Sequence, residues 1–341
     1  MSGPQPETGD DFTRQAAERL RPLLDGARTA VLATHVTPDG DGIGAEICWH
    51  SYLVSRGIQA RIFNTEAIPL RYRFLDERGA VEVYDEAKHG DFLRDADLLF
   101  MLDNSAPSRF GALEAAARAS RAVTVCIDHH NLIDPFWKVN LIDSDAAATG
   151  EMVYRIVEAL GGDPDFTAAQ AAYVSLVTDT GSFRFGKTSP ASHRLAARLL
   201  AKGVRPPRVY EEVYERGSAA LVRLGGMALA GLRLEENGRL GWITMTLAQV
   251  RDCGAEGEDT SDVVNEILTI DGVRVAVLLK ELDSGRLKLS FRSKEALDVN
   301  RIAQSFGGGG HTNASGAVIA GTIDTKAEDV LRPCRELLRQ A

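Results

Sequence analysis

Short apolar runs alternate with helical patterns through the first half of the chain. The runs are as long as buried strands, and they cover residues 29–34, 59–63, 97–102, 122–127 and 139–142. Apolar residues recur at helical spacing in residues 45–56, 148–160, 167–177 and 191–202. Strands that alternate with helices predict a mostly parallel sheet with helices on both of its faces.

The pattern changes after residue 202. Pro206 and Pro207 interrupt it, and residues 210–232 follow as a predicted connecting helix. Further strands are predicted at residues 241–246, 273–279, 287–292 and 317–320, with helices at residues 262–268, 299–305 and 325–338. We therefore predict an α/β fold whose first domain covers residues 1–202. A linker with the connecting helix covers residues 203–234, and a second, smaller α/β domain lies across a cleft in residues 235–341.

Composition narrows the class of protein. A chain of 341 residues exceeds the length that one core usually serves, which agrees with two domains. The net charge of −9 argues against a protein that coats long duplex nucleic acid, but bound divalent cations supply positive charge for a small phosphorylated substrate. The apolar runs are too short for a membrane span, and the polar first ten residues do not resemble a secretory signal. Four scattered cysteines without a Cys-x-x-Cys pair favour a reduced cytoplasm.

Potential metal ligands follow four separate segments of the first domain. They are His35, Asp39 and Asp41 after the first apolar run, Asp103 after the third, Asp128, His129 and His130 after the fourth, and Asp179 after a helical pattern. Because the carboxyl ends of parallel strands converge on one crevice, we expect these side chains to lie together. The sequence therefore predicts two divalent metals and a metal-dependent hydrolase.

Each of these segments also has a simpler interpretation. The segment with His35, Asp39 and Asp41 does not match a calcium-binding loop, from which it differs at Ile43 and His50. The spacing of its glycines also differs from that of the dinucleotide-binding fingerprint. A polar turn, an ordinary buried His35, and capping roles for Asp103 and Asp179 are each plausible alone. Their joint occurrence in this order favours the metal cluster.

A glycine-rich stretch in the second domain ends in His311. Gly307–Gly310 lie between a predicted helix and a predicted strand, which is not the usual place for a flexible linker. Backbone amides exposed by glycine approach an anion closely, and His311 adds a donor. This context favours phosphate binding over a linker.

Together these residues resemble a known family. The ordered ligand types from His35 to Asp179 resemble the DHH phosphoesterase superfamily, and the segment from Gly308 to Gly316 resembles its DHH-associated C-terminal domain. The combination is similar to bacterial enzymes that degrade very short RNA and dephosphorylate 3′-phosphoadenosine-5′-phosphate (nanoRNases). The resemblance covers about residues 25 to 320.

The resemblance implies a role for each residue. One Mn²⁺ would be held by His35, Asp39 and Asp103, and the other by Asp41, Asp103, His129 and Asp179, so that Asp103 bridges the two. His130 would face the substrate phosphate, and Asp128 would support the ligand histidines. The implied substrate contacts are Arg109, Arg292, Gly308, Gly309, Gly310, His311 and Ser315. Mg²⁺ and Co²⁺ are the expected substitutes for the two Mn²⁺ ions of each subunit.

The leading hypothesis is hydrolysis of short single-stranded RNA and of 3′-phosphoadenosine-5′-phosphate, with no membrane partner. Linear or cyclic dinucleotides and pyrophosphate are alternative substrates, and a non-catalytic nucleotide-binding regulator is a further alternative. A bridging water between two metals becomes a hydroxide near neutral pH, which suits hydrolysis of a phosphate ester. The sequence leaves the oligomeric state open, and the resemblance agrees with a homodimer.

Overall fold

The chain folds into two compact units, of which the first ends at Arg216 and the second begins at Gly217. The computed structural model describes residues 10–130, 133–283 and 285–340. Most of the polar amino-terminal segment used above to argue against a secretory signal lies outside these residues. Within the described part of the chain, no helix is long and apolar enough to cross a membrane.

The first unit contains a six-stranded parallel sheet. Its strands are β1 (Thr29–Ala33), β2 (Gln59–Asn64), β3 (Val81–Val83), β4 (Leu98–Leu102), β5 (Val123–Asp128) and β6 (Val139–Ile142). Its α-helices are α1 (Asp10–Gly26), α2 (Gly40–Ser55), α3 (Glu86–Asp95), α4 (Glu114–Ala119), α5 (Thr149–Ala159), α6 (Phe166–Asp179), α7 (Pro190–Ala201) and α8 (Pro206–Tyr214), with 3₁₀ helices at Leu70–Leu75 and Pro107–Leu113. The predicted parallel sheet is confirmed, although β3, α1, α3 and α4 were not predicted.

Both faces of this sheet are buried, as is usual for parallel strands. In β1, Ala30 and Leu32 belong to one apolar core, while Val31 and Ala33 belong to the other. The side chains of a strand alternate between its two faces, so a short continuous apolar run serves both cores. Helices α1, α2, α5 and α6 cover the first face, and α3 and α4 cover the second.

The strand order has its switch point between β1 and β4. The order is β3-β2-β1-β4-β5-β6, so the chain builds outwards from β1 in one direction and then from β4 in the other. Connections from β1 and β4 therefore leave on opposite faces, and the ends of these two strands are where ligands bind in such sheets.

The second unit contains a six-stranded mixed sheet. Its strands are β7 (Arg233–Glu235), β8 (Leu240–Met245), β9 (Val275–Asp283), β10 (Arg286–Ser293), β11 (Gly309–His311) and β12 (Ala314–Ala320), in the order β11-β12-β10-β9-β8-β7. Its helices are α9 (Ala219–Ala230), α10 (Leu247–Cys253), α11 (Val263–Ile267), α12 (Asn300–Ser305) and α13 (Ile323–Gln340). Among the strands that the structure describes in this unit, β8 and β9 pair in parallel and the other neighbours pair antiparallel.

The prediction of one connecting helix over residues 210–232 is wrong. The chain forms two helices there, and Ser218 begins the second by accepting the backbone N–H of Leu221. Val209 of α8 packs in the core of the first unit, whereas Leu224 of α9 packs in a core of the second. Each helix is therefore fixed by its own unit. The predicted domain limits at residues 202 and 235 remain predictions.

Candidate metal centre

Asp39 begins helix α2 and still presents one oxygen to a neighbouring histidine. Its Oδ1 accepts the backbone N–H groups of Asp41 and Gly42, each at 3.1 Å, as an N-cap does. Its Oδ2 lies 3.7 Å from Nε2 of His35. The same carboxylate is therefore both a helix cap and a candidate ligand.

The glycines of this segment let α2 pack closely. A Cβ on Gly42 would lie 2.3 Å from Oγ1 of Thr34, and one on Gly44 would lie 2.4 Å from the carbonyl oxygen of Ala171 in α6. Residues 40–44 are helical and buried, so the alternative of an exposed polar turn is wrong here.

The structure brings the predicted ligand types into two donor sets at the carboxyl edge of the sheet. The His35 set consists of His35, Asp39 and Asp103, and the His129 set consists of Asp41, His129 and Asp179. Within each set the candidate ligand atoms all lie within 4.8 Å of one another, a separation that a single ion can span. Helix α6 ends at Asp179, which carries this last ligand type to the edge.

Asp103 belongs to the His35 set and also faces the His129 set. Its Oδ2 lies 3.5 Å from Nε2 of His35, and its Oδ1 lies 3.6 Å from Nε2 of His129. The residue follows β4 directly and has a φ of +63°, in the left-handed region that non-glycine residues seldom adopt. Such strain is tolerated where the surrounding structure holds a functional residue in place.

The ring of His129 is oriented for a metal at Nε2. Its Nδ1 lies 3.2 Å from the carbonyl oxygen of Ala146, which accepts a hydrogen bond when Nδ1 carries the proton. Nε2 faces Asp179, whose Oδ2 is 3.1 Å away, and in the neutral ring with the proton on Nδ1 it would be the atom available to a metal. Metal-binding histidines commonly donate their second ring N–H in this way.

His35 has two mutually exclusive neighbours at Nδ1. The carbonyl oxygen of Val36 lies 2.8 Å away, and Nη2 of Arg109 lies 3.0 Å away. Both partners cannot be satisfied, since arginine only donates and a carbonyl only accepts. A metal held at Nε2 of the neutral ring would leave the proton on Nδ1, which would favour the bond to Val36 over the contact with Arg109.

The electrostatics of the centre favour cations. Burial, and then repulsion from neighbouring carboxylates, raises the pKa of Asp41 and of Asp103 well above the usual range. Burial alone would lower the pKa of His129, but the hydrogen bond and charge of Asp179 together with the charge of Asp41 raise it to about 9. Raised pKa values of this kind are expected where carboxylates are crowded together in the interior without a cation. Buried carboxylates with imidazole donors thus fit hard or borderline divalent metals.

Asp128 supports one histidine of the adjacent pair. Its Oδ1 accepts the backbone N–H of His130 at 3.0 Å and lies 2.7 Å from Nδ1 of the same residue. Nδ1 of His129, by contrast, lies 3.2 Å from the carbonyl oxygen of Ala146. The prediction that Asp128 supports the ligand histidines therefore needs correction, because the carboxylate orients His130.

The sequence interpretation missed the first turn of α5. The backbone N–H groups of Thr149 and Gly150 donate to Oδ2 and Oδ1 of Asp41 at 2.7 and 2.8 Å. The hydroxyl of Thr149 also donates to Oδ1 of Asp103 at 3.0 Å. The sequence contained a sign of this role. Thr149 and Gly150 follow β6 at the same edge of the sheet, and small polar residues favour the first positions of a helix.

The glycine-rich segment differs from its prediction. The N–H of Gly307 donates to the carbonyl of Gln304, and that of Gly308 donates to the carbonyl of Ala303, which ends α12. These two amides are engaged within the unit, which argues against the phosphate-donor role predicted for them, including that of Gly308. A Cβ on Gly308 would lie 2.0 Å from the carbonyl oxygen of Gly316, so this glycine allows close approach to β12.

Ser315 is likewise structural. Its side chain is buried, and Oγ donates to the carbonyl of Val299 at 3.0 Å. It pairs with Phe291, a core residue of the second unit. The hydrogen bond to Val299 argues against the predicted substrate contact of Ser315, because its hydroxyl is already bonded in the interior of the unit.

His311 and Arg292 share the other face of that sheet. Arg292 pairs with Ala314 across β10 and β12, and Ala314 pairs with His311 across β12 and β11. Directly paired residues have side chains on the same face of a sheet. Nε of Arg292 donates to Oδ1 of Asn265 at 3.1 Å, so the guanidinium is already oriented by its own unit.

The fold and these donor sets define a phosphoesterase of the DHH class. The model of the DHH family, N-terminal domain, matches residues 29–178, and that of the DHHA1 domain matches residues 243–340. The chain belongs to the DHH family.

Relatives make the likeness more specific. The chain is 33% identical, over 91% of its length and 90% of the relative's, to the bifunctional oligoribonuclease and PAP phosphatase NrnA of Thermus thermophilus. It is 26% identical to NrnA of Bacillus subtilis, over 85% of this chain and 89% of that one. A solved exopolyphosphatase-related protein from Bacteroides fragilis has a TM-score of 0.90, with 26% identity over 96% of this chain and 98% of that one.

Proposed function

We propose that this protein is a Mn²⁺-dependent phosphoesterase that hydrolyses very short RNA to nucleoside monophosphates and 3′-phosphoadenosine-5′-phosphate to AMP. The observation that carries the chemistry is Asp103, whose two oxygens face the two donor sets. The substrate class is supported by the likeness to NrnA of Thermus thermophilus over nearly the whole chain. We propose two ions per subunit, with Mg²⁺ or Co²⁺ as substitutes.

The donor sets assign the ligands of this proposal. The His35 set would hold one ion through Oδ2 of Asp103, and the His129 set would hold the other through Oδ1. When bound, the two ions would activate a water and neutralise charge on the substrate phosphate. The chain's own contribution is to hold these carboxylates in place before substrate arrives, which lowers the cost of reorganisation.

His130 is proposed to contact the reacting phosphate. Its Nδ1 lies 2.7 Å from Oδ1 of Asp128, and we propose Nε2 as the atom that contacts the substrate. A hydrogen bond from Nε2 would stabilise negative charge that grows on the phosphate oxygens during hydrolysis. Arg109 is proposed as a further contact of the substrate phosphate, since its guanidinium lies beside His35 and would be released from Nδ1 if His35 held a metal through Nε2.

The second unit is proposed to bind the phosphate that does not react. His311 and Arg292 lie on one face of its sheet, and both are donors suited to an anion. Gly309 leaves that face open, since a Cβ there would meet nothing within 4 Å. We retain Gly309 and Gly310 as proposed neighbours of this phosphate.

A panel of substrates tests the proposal. Chelator-treated protein is given Mn²⁺, Mg²⁺, Co²⁺, Zn²⁺ or Ca²⁺ and incubated with 5′-phosphorylated dinucleotides, long RNA, 3′-phosphoadenosine-5′-phosphate, linear and cyclic dinucleotides and pyrophosphate. We expect Mn²⁺ to restore the most activity, with the short RNA and 3′-phosphoadenosine-5′-phosphate as the best substrates. Asp103→Asn is the matched inactive control.

The outcomes separate the alternatives. Full turnover after chelation would overturn the metal-dependent mechanism. A preference for cyclic dinucleotides or pyrophosphate would replace the proposed substrates while keeping the centre. Nucleotide binding without any hydrolysis would point to a regulator.

A further inference from the structure

We propose that Thr149 is a positioning residue that couples Asp41 to Asp103 and thereby sets metal affinity at the His129 set. The inference rests on the proposed function, because it assumes that this set holds an ion. Thr149 was not among the residues predicted from sequence, and its side chain would act through the carboxylates rather than on the substrate.

Thr149 contacts both carboxylates from one buried position. It is 0% exposed, its backbone N–H donates to Oδ2 of Asp41 at 2.7 Å, and its hydroxyl donates to Oδ1 of Asp103 at 3.0 Å. These carboxylates come from α2 and from the end of β4, so one residue of α5 joins two otherwise separate elements. The distance between the two carboxylates thus depends on α5.

The contacts are one-sided. Oδ2 of Asp41 lies 3.7 Å from Nε2 of His129, and Oδ1 of Asp103 lies 3.6 Å from the same atom. Both oxygens that Thr149 holds therefore face the His129 set. The oxygen of Asp103 that faces His35 is Oδ2. Loss of the hydroxyl should therefore weaken one metal site more than the other.

A hydroxyl suits this role because it donates a single hydrogen bond. A carboxylate oxygen has two acceptor positions, so Oδ1 of Asp103 can accept from Thr149 and still bind a cation. The bond also hinders rotation of the carboxylate towards one ion at the expense of the other. Changes to groups that orient metal ligands typically cost about 10–100-fold in metal affinity.

The first turn of α5 is itself held in place. A Cβ on Gly150 would lie 2.1 Å from Oγ of Ser175 in α6, so the helices meet closely there. That same Oγ donates to the backbone carbonyl of Asp41 at 3.1 Å. The hydroxyl of Thr149 therefore projects from a fixed support, as positioning requires.

The test compares Mn²⁺ binding by wild type, Thr149→Val and Thr149→Ser, using calorimetry and the electron paramagnetic resonance of Mn²⁺. We expect wild type to bind two ions, and Thr149→Val to bind one of them about 10–100-fold more weakly with the other unchanged. Thr149→Ser keeps the hydroxyl and should restore wild-type affinity. At saturating Mn²⁺, the kcat of Thr149→Val should recover most of its loss.

Thr124→Val is the matched control. Thr124 is also a buried threonine of the first unit, and its hydroxyl donates to the carbonyl of Phe136 rather than to a carboxylate. The Thr124→Val variant should have a lower Tm than wild type and unchanged affinity for both Mn²⁺ ions. If Thr149→Val does not fold, Thr149→Ala removes the hydroxyl without placing a methyl group beside Asp103.

The outcomes distinguish this inference from the proposed function. Unchanged Mn²⁺ binding by Thr149→Val, equal weakening of both sites, or failure of Thr149→Ser to restore affinity would overturn the role of Thr149, while hydrolysis by wild type would keep the function standing. Wild type that binds two ions and hydrolyses nothing on the panel would overturn the function alone. Wild type that binds no Mn²⁺ would overturn both.

Discussion

The two regions predicted to bind substrate or metal are built on opposite principles. At the sheet edge of the first unit, Asp41 and Asp103 are almost wholly buried, and backbone amides hold Asp41 from α5. In the second unit, His311 lies on the three-residue strand β11 and is only half-buried. The metal centre concentrates like charges in the interior, whereas the glycine-rich strand offers donors at an accessible surface.

In the proposed function, the two regions would bind different kinds of ligand. Burial, and then repulsion from neighbouring carboxylates, raises the pKa of Asp41 and of Asp103, and such an arrangement suits a resident cation. A phosphate that arrives and leaves needs donors with solvent access and modest affinity. We therefore expect changes in the first region to affect the chemical step, and changes in the second to affect selected substrates.

The largest effect is expected for Asp103→Asn. The substitution removes the charge that both donor sets share, and asparagine tolerates the left-handed backbone at this position better than alanine does. We expect kcat for a 5′-phosphorylated dinucleotide at saturating Mn²⁺ to fall by at least about a hundredfold.

Asp97→Asn is the control at the other end of β4. Oδ2 of Asp97 accepts the backbone N–H groups of Arg28 and Thr29 at 2.8 and 2.9 Å, away from the centre. The Asp97→Asn variant should have a lower Tm than wild type and the same kcat. Near-normal turnover by Asp103→Asn would show that this carboxylate is not a shared ligand.

A smaller, substrate-dependent effect is expected for His311→Ala. Loss of one hydrogen bond to a charged group costs about 1.5–3 kcal/mol, or roughly 10–100-fold in kcat/KM, on a phosphorylated dinucleotide. An artificial ester without a second phosphate should lose much less, because it never uses the contact. Thr312→Ala, at the exposed neighbouring position, is the control. Equal losses on both substrates would place His311 at the reacting phosphate or in folding.

The pH dependence of stability should separate metal-free from metal-loaded protein. In the metal-free fold, His129 has its pKa raised from 6.5 to about 9, so the folded state retains a proton that the unfolded chain releases in this interval. Stability then falls as pH rises from 6.5 towards 9, and the raised pKa values of Asp41 and Asp103 act in the same direction.

Mn²⁺ displaces these protons, so the increase in Tm on adding Mn²⁺ should grow over the same interval. Each kcal/mol corresponds to about 2–4 °C in a domain of this size. The increase in Tm at each pH is measured by thermal unfolding with Mn²⁺ and with chelator, under anaerobic conditions. An increase in Tm that does not change with pH would contradict the protonated state of the centre.

The smallest effect is expected for Ser315→Ala in the second unit. Its hydroxyl donates to the carbonyl of Val299, so its loss should cost about 1 kcal/mol of unfolding free energy. KM for the dinucleotide should stay at the wild-type value, in contrast to His311→Ala. A rise in KM would return Ser315 to the substrate site.

Local patterns predicted most of the framework of the first unit. The apolar runs predicted β1, β2, β4, β5 and β6 within about one residue at each end. The reason is plainest for β1, β4 and β5, because strands that are buried on both faces are largely apolar. Their parallel order then brings Asp41, Asp103 and His129 to one edge, so the donor sets could be anticipated from the position of each ligand after its strand. Strand β3 was missed because only three residues pair there.

The sequence by itself determined which side chains reach the carboxyl edge of the parallel sheet. The spacing of apolar residues and the positions where strands end are local properties of the chain. Only the tertiary structure decided which donors meet which acceptors. The hydroxyl of Thr149 meets Asp103, the carboxylate of Asp128 turns to His130, and the hydroxyl of Ser315 faces the interior. These pairings depend on how separate elements pack, and a buried polar group takes whichever partner the packing places within reach.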